Sequence, residues 1–108
     1  MDQELRKNIE QFLASAELVY LHKDYTSAAI LYFKTLFVTL DLAILRKRKI
    51  TPKDHTQRFQ ILKIDFPEEY NLLDRYFEVY RSTYSTTIDK ETCEEIRIYV
   101  TKTVKKYT

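Results

Sequence analysis

With 108 residues, the chain is long enough for one hydrophobic core and too short for two. It has no glycine and only two prolines, Pro52 and Pro67, which argues against a fold of tight hairpins, whose turns need residues that accept positive φ. Its 44% apolar and 14% aromatic content argues against disorder, while a net charge of +2 says nothing about partners on its own.

A first helix is predicted from Asp2 to His22. Asp2 can cap it, and Leu5, Ile9, Phe12, Leu13, Ala16, Val19 and Tyr20 form its inner stripe. Lys23-Asp24-Tyr25 is a short turn, so the next helix returns antiparallel, with Asp24 as its N-cap. That second helix, Tyr25 to Arg48, is the most apolar segment. Its apolar residues at 25, 28, 29, 32, 33, 36, 37, 40, 43 and 44 give a broad buried face. Arg46, Lys47 and Arg48 complement the negative end of its dipole.

Pro52 disfavours helical backbone at Thr51 and stops the second helix. A third helix is expected from Pro52 to Ile64, capped by Thr51, with Phe59, Leu62 and Ile61 inward. Asp65-Phe66-Pro67 turns the chain into a fourth helix, Pro67 to Ser85, on which Tyr70, Leu73, Tyr76 or Phe77, Tyr80 and Tyr84 follow helical spacing. Asp89 caps a fifth, Lys90 to Lys106, with acids crowding its start and lysines its end. The expected architecture is all-α, an antiparallel up-and-down bundle of about five helices in a single domain, residues 1–108. The hairpin around Lys23-Asp24-Tyr25 has the look of a tetratricopeptide unit, but no second copy follows at the period of about 34 residues, which excludes a solenoid.

Charge is unevenly placed. Arg46 to Lys63 holds seven basic residues against one acid, Asp54, whereas Ile64 to Glu95 holds nine acids against three basic residues. Two poles of opposite sign suit self-association or a charged partner. The cluster Arg46, Lys47, Arg48, Lys49, Lys53 and Arg58 has two readings: a phosphate-binding surface for nucleotide or RNA, or dipole compensation with solvated side chains. Tyr76, Tyr80 and Tyr84, with Arg81, line one side of the fourth helix; the tyrosines suit a dimer interface better than base stacking, and Arg81 joins the candidate phosphate-binding residues. The lone Cys93 excludes an internal disulfide and a cysteine-based zinc site. There is no glycine-rich phosphate loop. No apolar run is read as approaching the roughly 20 residues of a membrane span, and the acidic N-terminus is unlike a signal peptide. A cytoplasmic protein with no membrane contact, metal or cofactor is expected.

The hairpin Ala16 to Lys34, then Lys53-Asp-His55-Thr-Gln-Arg58-Phe-Gln-Ile-Leu62, then Tyr80-Arg81-Ser-Thr-Tyr84, resembles the HEPN domain (higher eukaryotes and prokaryotes nucleotide-binding) over nearly the whole chain. The resemblance implies a bundle of about five helices that commonly forms homodimers. Small prokaryotic members often work beside a minimal nucleotidyltransferase as a toxin-antitoxin pair. Some are metal-independent ribonucleases with an Arg and a His a few residues apart and a polar residue after the Arg; others are nucleotide-binding or scaffolding modules.

Arg48 and His55, with six residues between them, satisfy that spacing. A neutral His can accept the 2′-hydroxyl proton of RNA, and an Arg can stabilise the phosphorane. Pro52 nevertheless falls between them and places them on separate helices, Lys49 follows Arg48, and Arg81 has no His after it. His22 reads as a residue at a helix C-terminus. Three expectations result: a non-catalytic HEPN-like module that binds a nucleotide and/or partners a nucleotidyltransferase as a homodimer, a ribonuclease toxin using Arg48 and His55, and a helical interaction module without nucleotide.

Overall fold

A computed structural model describes residues 2–108, which form five helices and, among the described residues, no strand. These are α1 (Asp2–Leu21), α2 (Tyr25–Arg48), α3 (His55–Asp65), α4 (Pro67–Ser82) and α5 (Lys90–Tyr107). α2 is the centre. Ala28, Ala29, Tyr32, Phe33, Leu36, Leu40, Leu42 and Ile44 are completely buried and cover more than half of the helix circumference, while Ile30, Leu31, Val38 and Leu45 on the remaining side are half-buried, so α2 needs neighbours on several sides. It has them: α1, α3, α4 and α5 all pack against it.

Contacts along α2 set the directions of the others. Asp2 meets Arg46 and Tyr20 meets Tyr25, so α1 is antiparallel to α2. Ile88 N–H donates to Thr26 Oγ1 at 2.8 Å, and Arg46 donates to the Tyr107 carbonyl at 2.8 Å, so α5 runs with α2. α3 begins level with Phe37 and ends level with Arg48. The segment between α2 and α3 therefore doubles back along α2 before α3 starts. α4 then returns the other way, with Tyr80 against Phe33.

α2 is also the one helix among the described residues that is long and apolar enough to cross a membrane, which corrects the expectation that no run reaches that length. Its apolar surface is spent instead on the other helices, with 67% of the relevant window buried inside the fold.

Helix boundaries follow local chemistry. Asp24 and Asp89 are N-caps as expected, accepting from Ser27 N at 3.1 Å and Thr92 N at 2.8 Å. Asp2 is instead the first helical residue, and its carboxylate faces Arg46. The third helix starts three residues later than expected. Its N-cap is Asp54, extended at φ −158°, which accepts from Gln57 N at 2.9 Å while Gln57 Oε1 accepts from Lys53 N at 2.7 Å. That reciprocal pair outcompetes the Thr51-Pro52 start. α4 stops at Ser82 rather than Ser85, because the Ser82, Thr83 and Thr86 hydroxyls donate to the carbonyls of Val79, Tyr80 and Ser82 and divert the backbone into turns.

Without glycine, the chain ends α1 and α2 with lysines in the left-handed region, Lys23 at φ 64° and Lys49 at φ 63°. A side chain with Cβ is disfavoured there. Lys23→Gly is expected to raise the unfolding free energy by about 0.5–1 kcal/mol in urea titration; no change or a loss would show that Lys23 is not strained.

Candidate functional site

The second and third segments of the resemblance meet beside α2. His55, at the start of α3, lies against Phe37 at 4.7 Å, Phe77 at 5.5 Å and Tyr80 at 5.8 Å between ring centroids. Behind it stands a polar chain. Arg58 is on the same face of α3, one turn along, and is almost completely buried. Its Nε and Nη2 donate to the two oxygens of Asp41 at 2.7 and 3.0 Å, and its Nη1 lies 2.6 Å from His55 Nδ1. The guanidinium also covers the Phe37 ring at 5.1 Å.

Two chemical consequences follow. A guanidinium only donates, so His55 Nδ1 accepts and the ring proton resides on Nε2. Burial, and then the adjacent Arg58 charge, hold the imidazole below its ordinary value of 6.5, so His55 is neutral at pH 7. Tyr80 is tied in the same way. Its hydroxyl lies 3.2 Å from that of Tyr84, and this hydrogen bond together with burial pushes the phenol up to about 12.

Arg48 is elsewhere. It grips Asp65 through Nε at 2.6 Å and Nη2 at 3.1 Å, at the far end of α3 from His55. That bond keeps Asp65 below the usual carboxylate range. The length of α3 alone separates the two ends by about 15 Å. The structure does not bring Arg48 and His55 together, because each is already held by a different partner.

The proposed phosphate-binding residues separate likewise. Arg58 leaves that set, because its nitrogens are bound to Asp41 and His55. Arg46 spans from Asp2, at 3.4 Å, to the Tyr107 carbonyl, tying α2 to both termini. Lys47 reaches the Asp65 carbonyl at 3.4 Å and covers the Phe66 ring, and Lys49 turns back to the Arg46 carbonyl at 3.1 Å. These are contacts of a helix end being capped and packed. Among the described residues, Lys53 has its backbone N–H, not its ammonium group, hydrogen-bonded. Arg81 makes an exposed pair with Glu78 at 3.1 Å. Among the three tyrosines expected at a dimer interface, Tyr84 is 80% exposed, while Tyr76 stacks on Tyr99 at 5.2 Å and Tyr80 belongs to the His55 cluster. His22 Nδ1 donates to the Leu18 carbonyl at 2.9 Å, as befits a helix C-terminus.

The residue missed from sequence is Asp41. It is the only acid between Tyr25 and Arg48, and a lone carboxylate in an apolar helix calls for a cationic partner. Among the described residues, no three His, Cys, Asp or Glu side chains gather as metal ligands. Comparison with protein families, curated proteins and solved structures found no match.

Two outcomes test this arrangement. Removing one partner of a mostly buried pair leaves the other charge uncompensated, so Arg58→Ala is expected to cost about 3–5 kcal/mol in denaturant unfolding; a loss below about 1 kcal/mol would show that the Asp41 contact is not maintained. The depressed His55 value means that the unfolded chain binds a proton more readily than the folded one. Stability contributed by neutral His55 is present above about pH 6.5 and is lost as pH falls through the lower folded value. His55→Gln should remove that part of the acid sensitivity, and an unchanged pH profile would contradict the assignment.

Proposed function

We propose that the chain is a non-catalytic HEPN-like module, cytoplasmic, that works as a homodimer and acts by binding a nucleotide or by serving as partner to a minimal nucleotidyltransferase. The observation that carries the non-catalytic part is the 2.6 Å contact between Arg58 Nη1 and His55 Nδ1. A neutral imidazole has one lone pair for a proton. Here that lone pair is committed to a guanidinium itself anchored by Asp41. A general base needs that nitrogen free and within reach of the substrate hydroxyl. Arg48, the other half of a nuclease pair, neutralises Asp65 instead.

The binding part rests on a different feature. The segments Lys53 to Leu62 and Tyr80 to Tyr84 carry the resemblance, and they converge at His55 and Tyr80. A module whose resembling segments gather into a packed cluster with its polar atoms internally bonded works through the surface that cluster shapes. The exposed cations Lys53 and Arg81 lie within those two segments and are the groups best placed to meet phosphate.

Purified protein incubated with single-stranded RNA in EDTA is expected to leave the RNA intact. Cleavage that disappears in the His55→Ala variant would overturn the non-catalytic reading in favour of the ribonuclease. Calorimetric titration with ATP should give a weak binding isotherm that Lys53→Glu diminishes; no heat at millimolar nucleotide would leave the protein-partner role alone.

A further inference from the structure

We infer that the outward face of α5 is a self-complementary homodimer interface, in which two copies of α5 lie antiparallel across a two-fold axis at Ile98. The inference deepens the homodimer part of the proposed function by naming its surface.

Glu91, Glu95, Ile98, Lys102 and Lys105 recur at alternating steps of four and three residues. On a helix that spacing makes a single straight stripe. All five are exposed, and they lie opposite the face that buries Cys93, Ile96, Val100 and Val104 against the rest of the bundle. The stripe reads acid, acid, apolar, base, base. Glu91 and Lys105 each lie seven residues from Ile98, and Glu95 and Lys102 lie three and four residues from it. Turning a second copy end for end about Ile98 therefore sets Glu91 against the partner's Lys105 and Glu95 against the partner's Lys102, with the two Ile98 side chains meeting at the centre. This is the self-matching pattern that a two-fold interface requires.

Three further observations support a second copy as the occupant. Among the described residues none of these four charges forms an ion pair, although six other cations do. Second, Ile98 is 51% exposed in the middle of the stripe, where a solvated helix face has no need of an isoleucine. Third, the stripe borders an apolar groove of about 280 Å³ between α4 and α5, with Leu72, Tyr76 and Tyr99 as its apolar wall and Glu95 and Lys102 at its rim. Ile98 itself lines that groove, so the two Ile98 side chains that meet on the axis bury against its apolar wall, and Tyr76 joins the interface through its stack on Tyr99. The charges at the rim fix register and direction, since a parallel arrangement would set like charges against each other.

The test is sedimentation equilibrium on the full chain and two charge-reversed variants, Glu91→Lys with Glu95→Lys, and Lys102→Glu with Lys105→Glu. The unaltered protein is expected to be dimeric. Each double variant alone should dissociate about 100-fold more readily, because like charges then face each other across the axis. An equimolar mixture of the two variants should recover the dimer, since each now carries the complement of the other. Should circular dichroism show that a double variant loses helix, Ile98→Arg reads the same face without altering either end of α5, and it should be monomeric. If the variants dimerise as tightly as the unaltered chain, or fail to pair when mixed, the α5 interface is wrong while the homodimer reading stands. A monomeric unaltered protein at high concentration would overturn both.

Discussion

The fold depends on covering α2. A helix whose apolar side chains cover most of its circumference cannot sit at the edge of a small domain. In a chain of 108 residues it takes all four other helices to surround it. The contact with α1 is built first in sequence, through the Lys23-Asp24 turn. α5 closes a second side and is fastened at both ends, by Thr26 to Ile88 near the start of α2 and by Arg46 to Tyr107 near its end. What remains is the side near Phe33, Phe37 and Asp41, which α3 and α4 cover only because the chain doubles back after Arg48.

That last side holds the polar chemistry. Asp41 emerges from the apolar helix as a carboxylate with little water around it, and Arg58 answers it with a bidentate pair. The remaining nitrogen of the guanidinium, Nη1, then donates to His55. His55 is fixed in one tautomer, held neutral, and wedged among Phe37, Phe77 and Tyr80. The arrangement joins α2, α3 and α4 at one point and does the work of a clamp.

Sequence and structure agree most closely where backbone and pattern act locally. The limits of α2, and the capping roles of Asp24 and Asp89, follow from apolar periodicity and from the preference of aspartate for helix starts. The start of α3 was harder to read, because two N-terminal signals compete within a few residues, Thr51-Pro52 and Asp54-His-Thr-Gln57, and only the second satisfies two backbone donors at once. The end of α4 moved because hydroxyl side chains satisfy carbonyls that would otherwise continue the helix. The site was the least legible part. The spacing of Arg48 and His55 is a statement about sequence distance, whereas which group neutralises each cation is a matter of three dimensions. Arg48 found Asp65 and Arg58 found Asp41, each seventeen residues from its partner. The carboxylate that matters, Asp41, was hidden by the apolar residues around it.

The central claim is that His55 Nδ1 is an occupied acceptor rather than a free base. The direct measurement is the nitrogen-15 spectrum of the His55 imidazole at pH 7. The account predicts a neutral ring with the proton on Nε2 and an unprotonated, hydrogen-bonded Nδ1 that loses its hydrogen-bond signature in Arg58→Ala. A ring protonated on Nδ1, or an imidazolium at that pH, would contradict it.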